Sequence, residues 1–203
     1  MGDIAVSGAG RRWRRLRSLA AVPAAIAAAW LLSACAPEYD WRDIRGADGD
    51  YWVQLPAKPA TMSRRIHLEG FEVEMTMQGA KVRESAFTVA RVPLPGQEAE
   101  AAGMTPERVL VAMREQMLRN IGASPSTAVQ PVTVDLVDGE KRKVGQVQLQ
   151  AVSARGTGRH AEMELQGCFG LWQGHALQIV AIGPQLDREQ AKHFLDSLRL
   201  VKR

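Results

Sequence analysis

The chain has 203 residues, of which 46% are hydrophobic and 24% are charged, a composition typical of a globular protein rather than a disordered or polytopic one. Its formal net charge is +4, but five arginines and a single aspartate precede residue 35, so residues 35–203 contain 21 basic and 21 acidic residues. A nucleic-acid-binding domain keeps a basic patch in its folded part, so we expect no nucleic acid among the partners.

A basic segment followed by an apolar stretch begins the chain. Five arginines lie between Arg11 and Arg17, and residues 19–32 form a stretch of 14 apolar residues that includes Pro23. A membrane-spanning helix needs about 20 apolar residues, so this pattern predicts a signal peptide that is removed. A retained anchor is the alternative, because short alanine-rich spans are sometimes left uncleaved.

The four residues Leu32-Ser33-Ala34-Cys35 directly follow the apolar stretch. They resemble the lipobox of bacterial lipoproteins. The resemblance implies cleavage between Ala34 and Cys35 and acylation of Cys35 by a diacylglycerol thioether and a fatty acid such as palmitate. Each buried CH₂ adds about 0.8 kcal/mol of membrane affinity, so two or three acyl chains anchor a soluble domain. The expected location is the bacterial cell envelope, facing the periplasm, and Ala36 favours the outer over the inner membrane.

The predicted organisation has three parts. Residues 1–34 are a lipoprotein signal peptide, 35–48 an acylated N-terminus and tether, and 49–203 a single domain. Cys168 would be the only free thiol of the mature chain, which excludes an intramolecular disulfide, so the domain depends on its hydrophobic core. Tyr39 and Trp41 in the tether either dock on the domain or lie at the lipid interface.

Four strands and a helix are predicted in the first half of the domain. The strands are 51–55, 63–68, 71–78 and 81–92, with a turn at Gly79; 71–78 alternates strictly between apolar and polar residues. The helix begins after the N-cap Thr105, has Pro106 at its first position and ends at Gly122.

Four more strands and a second helix follow. The strands are 129–137, 144–153, 161–169 and 176–182, with turns at Asp138-Gly139 and at 155–158. The nearly continuous apolar run 176–182 predicts a strand buried on both faces. Asp187 is the expected N-cap of the last helix.

The order strands, helix, strands, helix predicts an α+β fold with helices packed on an antiparallel sheet. With the first strand Val53-Gln54-Leu55-Pro56, the helix start at Thr105 and the ending 193–200, it resembles the PsbP-like/Mog-like superfamily, which includes DcrB-like envelope lipoproteins. The resemblance implies an α/β/α sandwich that binds other proteins and has no shared catalytic residues.

Candidate sites for chemistry are few. His160, Glu162 and Glu164 alternate along a predicted strand and could offer one nitrogen and two oxygen ligands to a metal. The same alternation is typical of a solvent-facing strand, so we expect no metal and no cofactor. Cys168 lies in a strand pattern where a small buried residue is expected, and Lys141-Arg142-Lys143 forms a basic hairpin tip that could contact anionic lipid.

These patterns favour a membrane-anchored periplasmic lipoprotein that acts as a non-catalytic protein-binding or envelope assembly module. Its expected partners are the membrane, through the lipid anchor, and another envelope protein. One alternative is a small-ligand-binding lipoprotein with a pocket between sheet and helices, lined by Trp52, Trp172 and methionines. The other is a metal-dependent enzyme centred on His160.

Overall fold

The computed structural model describes residues 37–158 and 161–202. Nearly all of these residues belong to one compact unit, Tyr39–Arg203. The predicted signal peptide, with the cleavage and lipidation residues Ala34 and Cys35, lies outside the described residues. Within the described ranges, every helix is too short or too polar to cross a membrane.

The described residues form ten strands, all in a single curled sheet, and three helices. These are β1 (Arg42–Arg45), β2 (Tyr51–Leu55), β3 (Ala60–Leu68), β4 (Phe71–Val82), β5 (Ser85–Pro93), α1 (Gln97–Ala101), α2 (Pro106–Asn120), β6 (Gln130–Val137), β7 (Lys143–Thr157), β8 (Glu162–Trp172), β9 (His175–Gly183), α3 (Arg188–Asp196) and β10 (Arg199–Val201). The strand order is β1-β2-β10-β6-β7-β8-β9-β5-β4-β3, and all neighbours are antiparallel except β10 and β6.

The α+β sandwich predicted from the sequence is wrong. Of the described residues, 52% are in strands and 18% in three short helices, and the sheet curls into a half-barrel. Strands β3, β4, β7 and β8 are longer than predicted, and the short strands β1 and β10 were not predicted. Helices therefore cover much less of the sheet than a sandwich requires.

Two glycines were wrongly interpreted as turns. β4 continues through Gly79 to Val82, and the turn to β5 lies at residues 83–84. A Cβ on Gly79 would lie 2.8 Å from the carbonyl oxygen of Phe87, so glycine there permits close pairing with β5. β7 likewise continues through Gly156, whose Cβ would lie 2.6 Å from the amide nitrogen of Ala123 in the loop after α2.

The curled sheet buries side chains on both faces. On the inner face, Phe87 on β5 and Ile179 on β9 pack with Phe194 of α3. On the outer face, Phe169 and Val180 belong to the core beneath α2. Tyr51 on β2 donates a hydrogen bond to Gln78 on β4, although six strands separate β2 from β4 in the sheet, so the inner face is the concave one. The prediction that the β9 segment is buried on both faces is confirmed.

The predicted ends of α2 and the start of α3 are also confirmed. The Thr105 hydroxyl accepts a hydrogen bond from the Arg108 amide, and Gly122 after α2 has φ +71°, the left-handed conformation that favours glycine. Asp187 Oδ1 accepts from the amides of Glu189 and Gln190. These local signals fix where the helices begin and end, but not how the strands are ordered.

Residues 39–48 fold against the domain, although the sequence predicted a tether there. β1 pairs along its whole length with β2. Tyr39 stacks on Trp41, with ring centroids 5.9 Å apart, and Trp41 contacts Phe87 at 6.1 Å and the His193 ring at 4.4 Å. Aromatic packing on the inner-face core thus outweighs the polar composition of the segment. Of the two placements left open for Tyr39 and Trp41, the structure has them docked on the domain.

Candidate functional site

A buried ion pair joins two distant parts of the curled sheet. Arg91 on β5 lies 2.8 Å from Asp50, which precedes β2, and 2.7 Å from the more exposed Asp48. Arg91 is 8% exposed and Asp50 is 1% exposed. Burial alone would lower the pKa of Arg91, but hydrogen bonds and charge attraction from the two carboxylates raise it above its ordinary value. The guanidinium therefore remains charged and holds β2 against β5.

A groove of about 310 Å³ lies between α3 and strands β6 to β8. Its floor includes Val134 and Cys168, and Lys192 and Arg199 lie at its border. Burial raises the pKa of the Cys168 thiol to about 12, so little nucleophilic thiolate exists at neutral pH. Cys168 is thus a core residue, which agrees with its position in a strand pattern.

A second cavity, of about 290 Å³, lies beside Trp52. The Trp52 ring is contacted by two cations, Arg45 at 5.3 Å and Lys141 at 4.1 Å from the ring centroid. Trp172 does not line either of these two cavities. The structure therefore does not bring Trp52 and Trp172 together in them as the ligand-pocket hypothesis required.

Of the predicted metal candidates, the structure describes Glu162 and Glu164. His160 lies outside the described residues. Glu162 is exposed, and Glu164 is paired with Arg155 at 2.9 Å and Arg188 at 3.3 Å. The described part of the chain contains no group of three or more His, Cys, Asp or Glu side chains that could hold a metal ion.

The charges of the basic hairpin tip are compensated by nearby carboxylates. Its three cations pair with three aspartates: Lys141 with Asp43 at 2.8 Å, Arg142 with Asp138 at 2.8 Å, and Lys143 with Asp135 at 2.6 Å. Hydrogen bonds from the paired cations, more than charge attraction, lower the pKa of all three carboxyl groups. The three aspartates therefore stay ionised. The tip thus presents little net positive charge to a lipid surface.

The most exposed strand is β3, which forms one edge of the sheet. Residues 60–65 are all exposed, and Met62 is 56% exposed. Arg65 lies 3.2 Å from Glu72, whereas Arg64 forms no ion pair with any described residue. We call the outward side of Ala60–Leu68, with its side chains, the β3 edge. The sequence predicted a strand here but gave no sign that it lies at an edge.

A comparison with protein families finds no family that matches this chain. A comparison with curated proteins likewise finds no matching sequence.

Proposed function

We propose that this protein is a lipid-anchored periplasmic lipoprotein whose domain binds another envelope protein without catalysis. The observation that carries the proposal is the β3 edge, nine residues long and exposed on both faces over most of its length. Such an edge is a template for pairing with an extended segment of another protein. Both cavities described above are shallow and bordered by mutually paired charges, which favours the edge over them as the functional surface.

A lipid anchor on Cys35 would lie only a short stretch of chain away from the folded domain. Only three residues separate Cys35 from Tyr39, which packs on the inner-face core. Four extended residues span about 14 Å, so acylation of Cys35 would hold the domain close to the membrane surface. A domain held in this way samples partners in or near the same membrane at high effective concentration.

Photo-crosslinking in living cells tests this function. Benzoylphenylalanine is placed at Met62 on β3 or at Val144 on β7, which are exposed to similar extents, 56% and 49%. We expect a discrete crosslinked product from position 62 in the membrane fraction, absent from position 144 and lost when Cys35→Ala is added. If neither position gives a product in the membrane fraction, the protein-binding function is wrong.

A further inference from the structure

We propose that the β3 edge binds an extended segment of a partner by strand addition and selects one with an acidic residue between two apolar residues on the same face. This inference rests on the proposed protein-binding function and adds the chemistry of the partner. The unpaired backbone of the edge would bind the segment, and the side chains of β3 would select its sequence.

The backbone of β3 offers unused hydrogen-bonding groups. Along its whole length the strand pairs with β4, and no other described strand lies on its outer side. Nine residues at about 3.4 Å each give an edge of about 30 Å, which matches a partner segment of similar length. No proline interrupts the strand, so the outward amides and carbonyls are available to pair.

The side chains specify what such a segment should contain. Successive residues of a strand point to opposite faces, so Met62, Arg64 and Ile66 lie on one face of β3. Met62 is opposite Met77, and Ile66 is opposite Val73, so apolar side chains flank the arginine. A partner strand would place an apolar residue beside Met62, an acidic one beside Arg64 and an apolar one beside Ile66.

Charge also decides between an acidic partner and a second copy of this chain. Residues 60–68 contain two arginines and no acidic residue. Arg65 is already paired with Glu72, but antiparallel pairing of two β3 edges about their centres would bring the two Arg64 side chains close together, and like charges on neighbouring strands destabilise a sheet. Arg64 therefore opposes self-association and favours an acidic segment.

The test uses two blocked, fluorescein-labelled heptapeptides and the full chain purified from membranes in detergent. The first peptide is Thr-Val-Thr-Glu-Thr-Val-Thr, and the second has Lys in place of Glu. We expect fluorescence anisotropy to give an affinity about five- to tenfold higher for the Glu peptide, because the central pair changes from attractive to repulsive. Hydrogen exchange of residues 60–68 should slow on binding, as backbone pairing requires.

Substitutions of the exposed Arg64 provide the matched controls. Arg64→Glu should reverse the preference so that the Lys peptide binds more tightly, and the milder Arg64→Gln should remove most of the preference. Equal binding of both peptides to the original chain, or no slowing of exchange at residues 60–68, would overturn the proposal.

The crosslinking experiment separates a failure of this inference from a failure of the function. A crosslinked product from position 144 but not from position 62 would leave a protein-binding lipoprotein whose contact surface is elsewhere. In that case the β3 edge is not the docking site, although the function stands.

Discussion

Replacement of Arg91 by alanine is expected to lower the free energy of unfolding by about 3–5 kcal/mol. The substitution leaves the carboxylate of Asp50 buried without its counter-ion, and Asp50 is 1% exposed. The other carboxylate oxygen of Asp50 has no hydrogen-bond partner among the described residues, so the substitution removes the side-chain hydrogen bond that Asp50 accepts from Arg91 and leaves none in its place. Urea denaturation followed by tryptophan fluorescence measures the loss.

Two further variants test whether the cause is the buried charge. Asp48→Asn should cost less than about 1 kcal/mol, because the Asp48 side chain is 49% exposed and water screens its ion pair. Asp50→Asn added to Arg91→Ala should restore part of the stability, because it removes the uncompensated charge. A loss below about 1 kcal/mol for Arg91→Ala would contradict a structural role for the ion pair.

Phe87→Ala should lower the free energy of unfolding by a similar amount, about 3–5 kcal/mol, because a fully buried aromatic side chain is replaced by a cavity. Phe87 contacts Phe194 of α3 and also supports Tyr39 and Trp41, with ring centroids 5.6 to 6.3 Å apart. The segment that follows the predicted lipidation site should therefore loosen, and trypsin should cleave faster after Arg42.

The exposed Val144 provides a control for Phe87. Val144→Ala should change stability by no more than about 0.5 kcal/mol and leave the rate of cleavage after Arg42 unchanged. If Phe87→Ala lowers stability but does not accelerate that cleavage, residues 39–45 are held by contacts other than the aromatic cluster.

Local sequence signals predicted most of the individual elements. The N-cap Thr105, the glycine at 122 and the N-cap Asp187 are read directly from residue type and spacing, because the backbone groups they satisfy are only a few residues away. The strand predicted over 81–92 likewise covers most of β5. What these signals left out was the extent of the strands, because Gly79 was assigned to a turn although it lies within paired backbone.

The arrangement of the sheet depends on pairings between distant segments, which is why the sandwich prediction failed. β10 pairs with β2, and these strands are about 150 residues apart in sequence. The same limit applies to the candidate surface, since only the sheet order reveals that β3 is an edge. One signal was available for the ion pair: Arg91 alternates with Phe87 and Val89 on an apolar face, and a buried arginine requires an acidic partner.

The central claim is that Cys35 is acylated and anchors a protein-binding domain to a membrane. Intact mass and membrane fractionation of the native protein, beside a Cys35→Ala variant, test it most directly. We predict a mature species that begins at an acylated Cys35 and lies in the membrane fraction, with the variant uncleaved or unacylated and lost from that fraction. A native chain that is uncleaved and carries no acyl group would contradict the claim.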